Sequence, residues 1–270
     1  MASMPITDDL HGLTAVLSAA GFISAEEEAY ELHALAGGDL KLLDSLVARR
    51  LTGEPLAWII GSTSFCGLRI RVDAGVYVPR WQSEPLARRA AERLPAAGTA
   101  IDVCTGAGAI ARALTSYRPE ARVLASDIEE RAVACAAANG VQVYRGDLFA
   151  PLPRGLEGGV DVIVGVVPYV PTPELPLLQR DTFTFEAPLA YDGGPDGTQM
   201  LRRVLREGRP FLRRGGALLL ELGADPAEAL SDDLARLEFL EIRVLTDADG
   251  DVRGIEATLR EPAPPQTGRE

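Results

Sequence analysis

A short apolar run that breaks into small residues constrains this chain more than any other feature. Residues 100–103 have the pattern of a buried strand, residues 104–108 are small, and a helical pattern resumes at Ile110. Small residues let the backbone approach a ligand and point its N–H groups and the next helix N-terminus at it. A second apolar strand, 122–126, ends in Asp127, where a doubly wound fold places the acid that binds a ribose hydroxyl. Loop and acid together predict a nucleotide-type ligand; a strand–turn–helix with an unrelated surface aspartate is the simpler interpretation.

Composition narrows the function classes. The chain has 270 residues, enough for one large domain with a small appendage. With 39 acidic and 27 basic side chains, its net charge of −12 argues against an enzyme that holds long nucleic acid by neutralising phosphates. The three cysteines form no CxxC pair and both histidines lie near the N-terminus, so we expect no metal. No long apolar run or basic leader is present, and we expect a cytoplasmic protein that binds no membrane. The oligomeric state stays open.

The first 80 residues divide into two parts. Residues 1–52 predict three short helices, either a passive lid or a partner-docking domain, and Ser24 with Glu27 predicts a capping box. Residues 53–80 alternate apolar and polar positions about Gly67, which predicts a β-hairpin connector.

Residues 81–260 alternate strand and helix patterns and predict one α/β domain. Strands are expected at 100–104, 122–126, 141–145, 160–166, 216–222, 239–245 and near 253–259, and helices at 108–117, 129–139, 196–213 and 225–236. Such alternation favours a mostly parallel sheet covered on both faces. The tail 261–270 is rich in proline and polar residues, which predicts disorder.

Ligands of such sheets bind beyond the carboxyl ends of the strands. Besides the two strand ends above, residues 146–149 place an acid next to the apolar pair Leu148 and Phe149, which could clamp a purine ring. Residues 164–171 hold Tyr169 between Pro168 and Pro171. That tyrosine either presents its ring to a substrate or simply packs at a stiff strand exit.

Several blocks carry a family resemblance in the same order along the chain. They are residues 50–61, 65–68, 78–80 with Glu84, the loop 104–108, and then 146–149, 186–190, 193–197 and 221–223. Together they resemble the protein-(glutamine-N5) methyltransferases of the HemK/PrmC type, the release-factor methyltransferases, from about residue 50 to residue 260.

This resemblance implies a Rossmann-like, seven-stranded class I methyltransferase domain that uses S-adenosylmethionine and releases S-adenosylhomocysteine. The implied cofactor site is formed by Cys104, Thr105, Gly106, Ala107, Gly108, Asp127, Ile128, Asp147 and Leu148. Asp127 is expected at the ribose and Asp147 with Leu148 at the adenine. The implied catalytic set is Val166, Pro168 and Tyr169, with Arg80, Glu84, Val167 and Tyr169 around the acceptor.

Two departures from the family pattern matter. Cys104 replaces the first glycine of the cofactor loop, where a catalytic thiol is a remote alternative. Val166 stands where the family has the asparagine of its Asn-Pro-Pro-Tyr motif, whose side chain accepts hydrogen bonds from the substrate amide. Valine has no acceptor, and a buried N–H without a partner costs about 1–3 kcal/mol. The carbonyls of Gly165 to Val167 remain available.

Three functions therefore stay open. The first is methylation of a glutamine amide on a protein such as a release factor, by direct displacement at the sulfonium methyl with the enzyme supplying position and a dry pocket. The second is methyl transfer to a small-molecule amine, hydroxyl or carboxylate. The third is a non-catalytic protein that binds S-adenosylmethionine and docks a partner.

Overall fold

A computed structural model describes residues 10–178, 184–247 and 249–261. The tail expected to be disordered lies, apart from Glu261, outside these residues. Within the described ranges, no helix combines the length and apolar character that a membrane span requires.

Three N-terminal helices form a small core of their own, as the sequence predicts. They are α1 Leu10–Ala19, α2 Ala25–Ala36 and α3 Leu40–Leu51, with Leu17 and Leu32 fully buried between them. Arg50 links α3 to α2, because its guanidinium pairs with Glu28 on α2 at 2.6 Å. The expected capping box is wrong: the Ser24 side chain makes no capping hydrogen bond.

A short helix and a hairpin follow. Helix α4 spans Leu56–Ile60, and strands β1 Ser62–Phe65 and β2 Leu68–Arg71 pair antiparallel, which confirms the predicted hairpin. Its two-residue turn, Cys66 and Gly67, has φ of 51° and 73°, the conformation that suits a tight hairpin. Asn139 ties the hairpin to the next domain, because its side chain bonds to both backbone groups of Arg71.

The remaining chain builds one seven-stranded sheet in the order β5-β4-β3-β6-β7-β9-β8. The strands are β3 Thr99–Val103, β4 Arg122–Asp127, β5 Val143–Arg145, β6 Val160–Gly165, β7 Leu212–Glu221, β8 Phe239–Thr246 and β9 Val252–Leu259. The helices are α5 Glu84–Arg93, α6 Ala109–Tyr117, α7 Glu130–Ala138, α8 Gln199–Gly208, α9 Ala224–Ala229 and α10 Ser231–Arg236. The first five strands of that order run parallel, and β9 pairs antiparallel with both β7 and β8.

Alternate strand residues supply two apolar cores. Val162 and Val164 on β6 face one core with α5 and α6, and Ile163 faces the other with α8. A parallel strand buried on both faces needs this continuous apolar sequence. The sheet therefore fixes the carboxyl ends of β3, β4, β6 and β7 side by side along one edge.

Two predicted helices differ from the structure. The helix expected over 196–213 covers only Gln199–Gly208, because Pro210 has no N–H to donate to the next helical hydrogen bond. The helix expected over 225–236 is split in two at Leu230, which turns into the core.

Candidate active site

The loop between β3 and α6 turns sharply because three of its residues have left-handed backbone. Cys104, Gly106 and Gly108 have φ of 54°, 56° and 80°. A Cβ on Gly108 would come within 2.8 Å of the Val141 side chain, so the position excludes larger residues. Cys104 bears a strain that glycine avoids. Burial also raises the pKa of its thiol, which keeps the sulfur protonated and disfavours the catalytic-thiol alternative.

Asp102 holds this loop, although sequence reasoning did not select it. The residue is 1% exposed, and its Oδ2 accepts hydrogen bonds from the Thr105 hydroxyl at 2.6 Å and the Ala111 N–H at 3.1 Å. Burial raises the pKa of Asp102 to about 7, although the hydrogen bonds from these two donors lower it. Its position inside an otherwise apolar strand is the feature of the sequence that could have indicated this role.

Asp127 lies at the end of β4 and faces the same loop. Its Oδ2 accepts from the Gly106 N–H at 2.8 Å, and its Oδ1 accepts from the Glu129 N–H at 2.9 Å. Burial raises the pKa of Asp127. Each oxygen keeps a second lone pair for a ligand hydroxyl. Its contact with the loop contradicts the interpretation of an unrelated surface aspartate.

A cavity of about 320 Å³ opens beside the loop. The predicted site residues that line it are Arg80, Cys104, Thr105, Gly106, Ala107, Asp127, Ile128, Asp147, Leu148, Val166 and Pro168. The lining also includes Tyr77, Ser83, Asp102, Ser126 and Arg203, which the sequence did not indicate. Four predicted residues lie off this wall: Glu84, Gly108, Val167 and Tyr169.

One end of the cavity is closed by the segment after β5. The Asp147 carboxylate, half exposed, accepts a hydrogen bond from Arg203 at 2.8 Å. Leu148 lies beside it with a left-handed backbone, φ 45°. Phe149 does not clamp a ligand as expected, because it is 4% exposed and stacks on Phe211 inside the core, with ring centroids 5.1 Å apart.

A buried hydroxyl on this wall lacks a partner. The Ser126 Oγ, at the end of β4, makes no hydrogen bond within the described part of the chain. Because a buried polar atom without a partner is unfavourable, this hydroxyl indicates that the cavity takes a polar ligand.

The other end of the cavity is formed by the segment after β6. Val166 and Pro168 line it. The Val167 side chain is fully buried in the core, so it does not lie on the cavity wall. The Tyr169 hydroxyl lies 3.4 Å from Glu221 Oε1, behind the wall rather than on it. The position of Tyr169 therefore favours the alternative in which this side chain packs at the strand exit.

Arg80 is fixed by a buried carboxylate from a distant segment. Glu186 accepts hydrogen bonds from the Val78 N–H and from Arg80, both at 2.7 Å, and a short one from the Tyr191 hydroxyl. The Glu186 side chain is 1% exposed. Two blocks that the sequence showed only as separate motifs thus form one wall.

Glu84 lies elsewhere, contrary to the expectation. Its carboxylate accepts from the Cys66 N–H at 2.8 Å and from Arg88 at 2.5 Å, so it joins the hairpin to α5. Ser83, the residue before it, lines the cavity instead.

Comparisons with known proteins agree with this architecture. No family model matches the chain. It is 39% identical over 227 residues to the release factor glutamine methyltransferase of Moorella thermoacetica, covering 80% of this chain and 78% of that protein. It is 31% identical over 281 residues to that of Cereibacter sphaeroides, covering 95% of this chain and 99% of that protein. The chain belongs to the release factor glutamine methyltransferase family.

Solved structures show the same fold. A methyltransferase from Pyrococcus furiosus aligns with a TM-score of 0.54 at 17% identity, over 79% of this chain and 98% of that one. A ribosomal protein L11 methylase from Lactobacillus delbrueckii subsp. bulgaricus aligns with a TM-score of 0.50 at 20% identity, over 71% of this chain and 86% of that one. The fold is that of Rossmann-like class I methyltransferases. Family membership makes the chain a methyltransferase and removes the non-catalytic alternative.

Proposed function

We propose that this methyltransferase transfers a methyl group from S-adenosylmethionine to the side-chain amide nitrogen of a glutamine in a release factor. The observation that carries the proposal is one continuous cavity, which is lined both by the glycine-containing loop and by the segment after β6. Such a cavity brings a cofactor and an acceptor together. Relatives that span most of the chain bear the name of this activity.

The residues at the loop end fit S-adenosylmethionine. Asp127 has free lone pairs for ribose hydroxyls, and the Ser126 hydroxyl, which has no partner among the described residues, favours a polar ligand. The loop 104–108 and Ile128 would hold the sugar and the methionine portion. Asp147 and Leu148 would lie at the adenine, with Asp147 accepting from the exocyclic amine.

At the acceptor end, Val166, Pro168 and Arg80 would shape the pocket. When bound, the cofactor supplies an electrophilic methyl group on a sulfonium. The protein would hold the acceptor nitrogen in line with that methyl and exclude water, which contributes more to such a transfer than proton chemistry does. Tyr169, Val167 and Glu84 have no place in this proposal as direct contacts, because they lie off the wall.

A direct test uses an unmethylated release factor. The purified protein is incubated with S-adenosylmethionine and the factor, and the glutamine-bearing peptide is weighed by mass spectrometry. We expect a gain of one methyl group on that glutamine. No gain, with cofactor binding demonstrated in the same preparation, would contradict the proposal.

A second candidate is methyl transfer to a small molecule, which the apolar Val166 in the cavity wall favours. The variant Val166→Asn separates the two, since asparagine supplies an amide acceptor at this position. If release-factor methylation appears only in the variant, the natural acceptor is not a glutamine amide. Comparable rates in both proteins would support the first candidate.

A further inference from the structure

A buried carboxylate lies next to the position where the acceptor asparagine is missing. Gly165 on β6 is in register with Leu220 on β7, so the next residues, Val166 and Glu221, lie side by side at the ends of these neighbouring strands. Glu221 is 8% exposed and forms no ion pair among the described residues. A buried acid at the acceptor end that forms no ion pair with any described residue requires an explanation that packing alone does not give.

Ser83 connects this carboxylate to the cavity. The Ser83 hydroxyl donates to Glu221 Oε2 at 2.5 Å, and the residue, 3% exposed, lines the cavity. A hydroxyl has one proton and two lone pairs. Because its proton is committed to Glu221, Ser83 can only accept a hydrogen bond from a molecule in the cavity.

We propose that Ser83, oriented by Glu221, accepts the hydrogen bond of the substrate amide N–H that Val166 cannot accept. This inference rests on the proposed function, because it takes a glutamine amide as the acceptor. Ser83 is then a catalytic residue that touches the substrate, and Glu221 is a positioning residue that acts through it. The pair replaces the asparagine of the family motif.

The same pair can take the proton that the reaction releases. As the nitrogen forms its bond to the methyl carbon, the carbon–sulfur bond breaks and its electron pair stays on sulfur. The nitrogen must then lose one proton. Ser83 accepts that proton while its own hydroxyl proton passes to the Glu221 carboxylate, which later releases it to solvent, so atoms and charges balance.

The charged and titratable groups around Glu221 set the pH at which the pair works. Tyr77 from the segment before α5 faces it. The hydrogen bonds from Ser83 and from Tyr169, in the segment after β6, lower its pKa, and Arg253 on β9 lowers it further. Burial outweighs these contacts and raises the pKa of Glu221 above its ordinary value. The transfer rate should therefore fall on the acid side as Glu221 takes up a proton.

Binding of a bisubstrate compound tests the contact without catalysis. The probe joins the nitrogen of a glutamine amide by a short linker to the 5′ position of adenosine, and S-adenosylhomocysteine is the reference ligand. Calorimetry gives the gain in affinity of the probe over the reference. We expect Ser83→Ala to reduce this gain about 10-fold or more, and Ser83→Thr, which keeps the hydroxyl, to preserve it.

Glu221→Gln supplies an independent readout on the release factor. We expect kcat to fall at least 10-fold with the affinity for S-adenosylhomocysteine unchanged, and the acid limb of the pH–rate profile to disappear. Glu256→Gln is the matched control. This second buried carboxylate, 2% exposed, pairs with Arg89 on α5, and its loss should change stability but leave the acid limb and the probe gain intact.

The outcomes separate the two proposals. If the wild-type protein binds the probe no better than S-adenosylhomocysteine, the glutamine acceptor is wrong and the inference falls with it. If the wild-type gain is present and persists in Ser83→Ala, the proposed function stands and the role of Ser83 is refuted. An unchanged acid limb in Glu221→Gln refutes the role of Glu221.

Discussion

Asp102 gives the sharpest prediction for the pH dependence of stability. Replacing it by asparagine keeps an oxygen that can accept from the Thr105 hydroxyl and the Ala111 N–H, but removes the titration. The pKa of Asp102 rises from 3.8 in its reference state to about 7 in the fold. We expect Asp102→Asn to flatten the dependence of unfolding free energy on pH.

The sign and size follow from linkage. Because the folded pKa is raised, the native protein retains a proton that the unfolded chain releases, so the stabilisation is complete below the unfolded pKa of 3.8 and is lost as pH rises through about 7. A shift of this size corresponds to about 4 kcal/mol in total, of which about 3 kcal/mol is lost between pH 5 and pH 8.

Urea unfolding of both proteins between pH 5 and pH 8 measures this term. The difference in unfolding free energy, wild type minus Asp102→Asn, should fall by about 3 kcal/mol across that range. Asp192→Asn is a control that should show no slope. Hydrogen bonds from the Thr172 hydroxyl and the Gly194 N–H lower the pKa of Asp192 below its ordinary 3.8, so its contribution is lost only at more acidic pH and the difference should stay constant between pH 5 and pH 8. If the difference between the wild type and Asp102→Asn stays constant with pH, the account of Asp102 is refuted.

Three further predictions concern the walls of the cavity. Cys104→Gly should leave stability unchanged or raise it by up to about 1 kcal/mol, because glycine adopts the left-handed backbone of this position without strain. Cys104→Val should lower stability in the same urea assay. The reverse order would contradict the proposal that Cys104 is strained. Arg80→Met should lower stability by about 2 kcal/mol, because it leaves the buried Glu186 without its cation; the loss is moderate because 36% of the Arg80 side chain is exposed. An unchanged melting temperature would show that the hydrogen bonds from Tyr191 and Val78 suffice to hold Glu186. Asp127→Ala should weaken S-adenosylmethionine binding by about 1–3 kcal/mol, and an unchanged calorimetric affinity would contradict the cofactor placement.

Local signals in the sequence predicted most of the fold. Strand β4, the loop 104–108 and the hairpin turn at Gly67 each depend on apolar runs and small residues within a few positions, so periodicity identifies them. Errors occurred at element boundaries. The helix predicted over 225–236 is split in two at Leu230, where neither glycine nor proline marks a break.

The site shows the same division. Asp127 could be predicted because an acid after the second strand must face the loop after the first when the two strands are parallel neighbours. Glu84 begins α5, and its position in the sequence could not show which way its side chain points. The Glu84 carboxylate points to the hairpin, and the shorter Ser83 lines the cavity wall where Glu84 was expected.

The acceptor end could not be derived from any single motif, because it is assembled across the chain. Ser83 and Glu221 are 138 residues apart, and Arg80 and Glu186 are 106 apart. Only the register of β6 against β7 places Glu221 beside Val166. A substitution inside a motif therefore does not by itself change the chemistry. In the arrangement that we propose, valine removes an acceptor from one strand end, and Ser83, held by the Glu221 carboxylate at the neighbouring strand end, supplies another. The polar requirement of the substrate would then be met by the fold rather than by the motif.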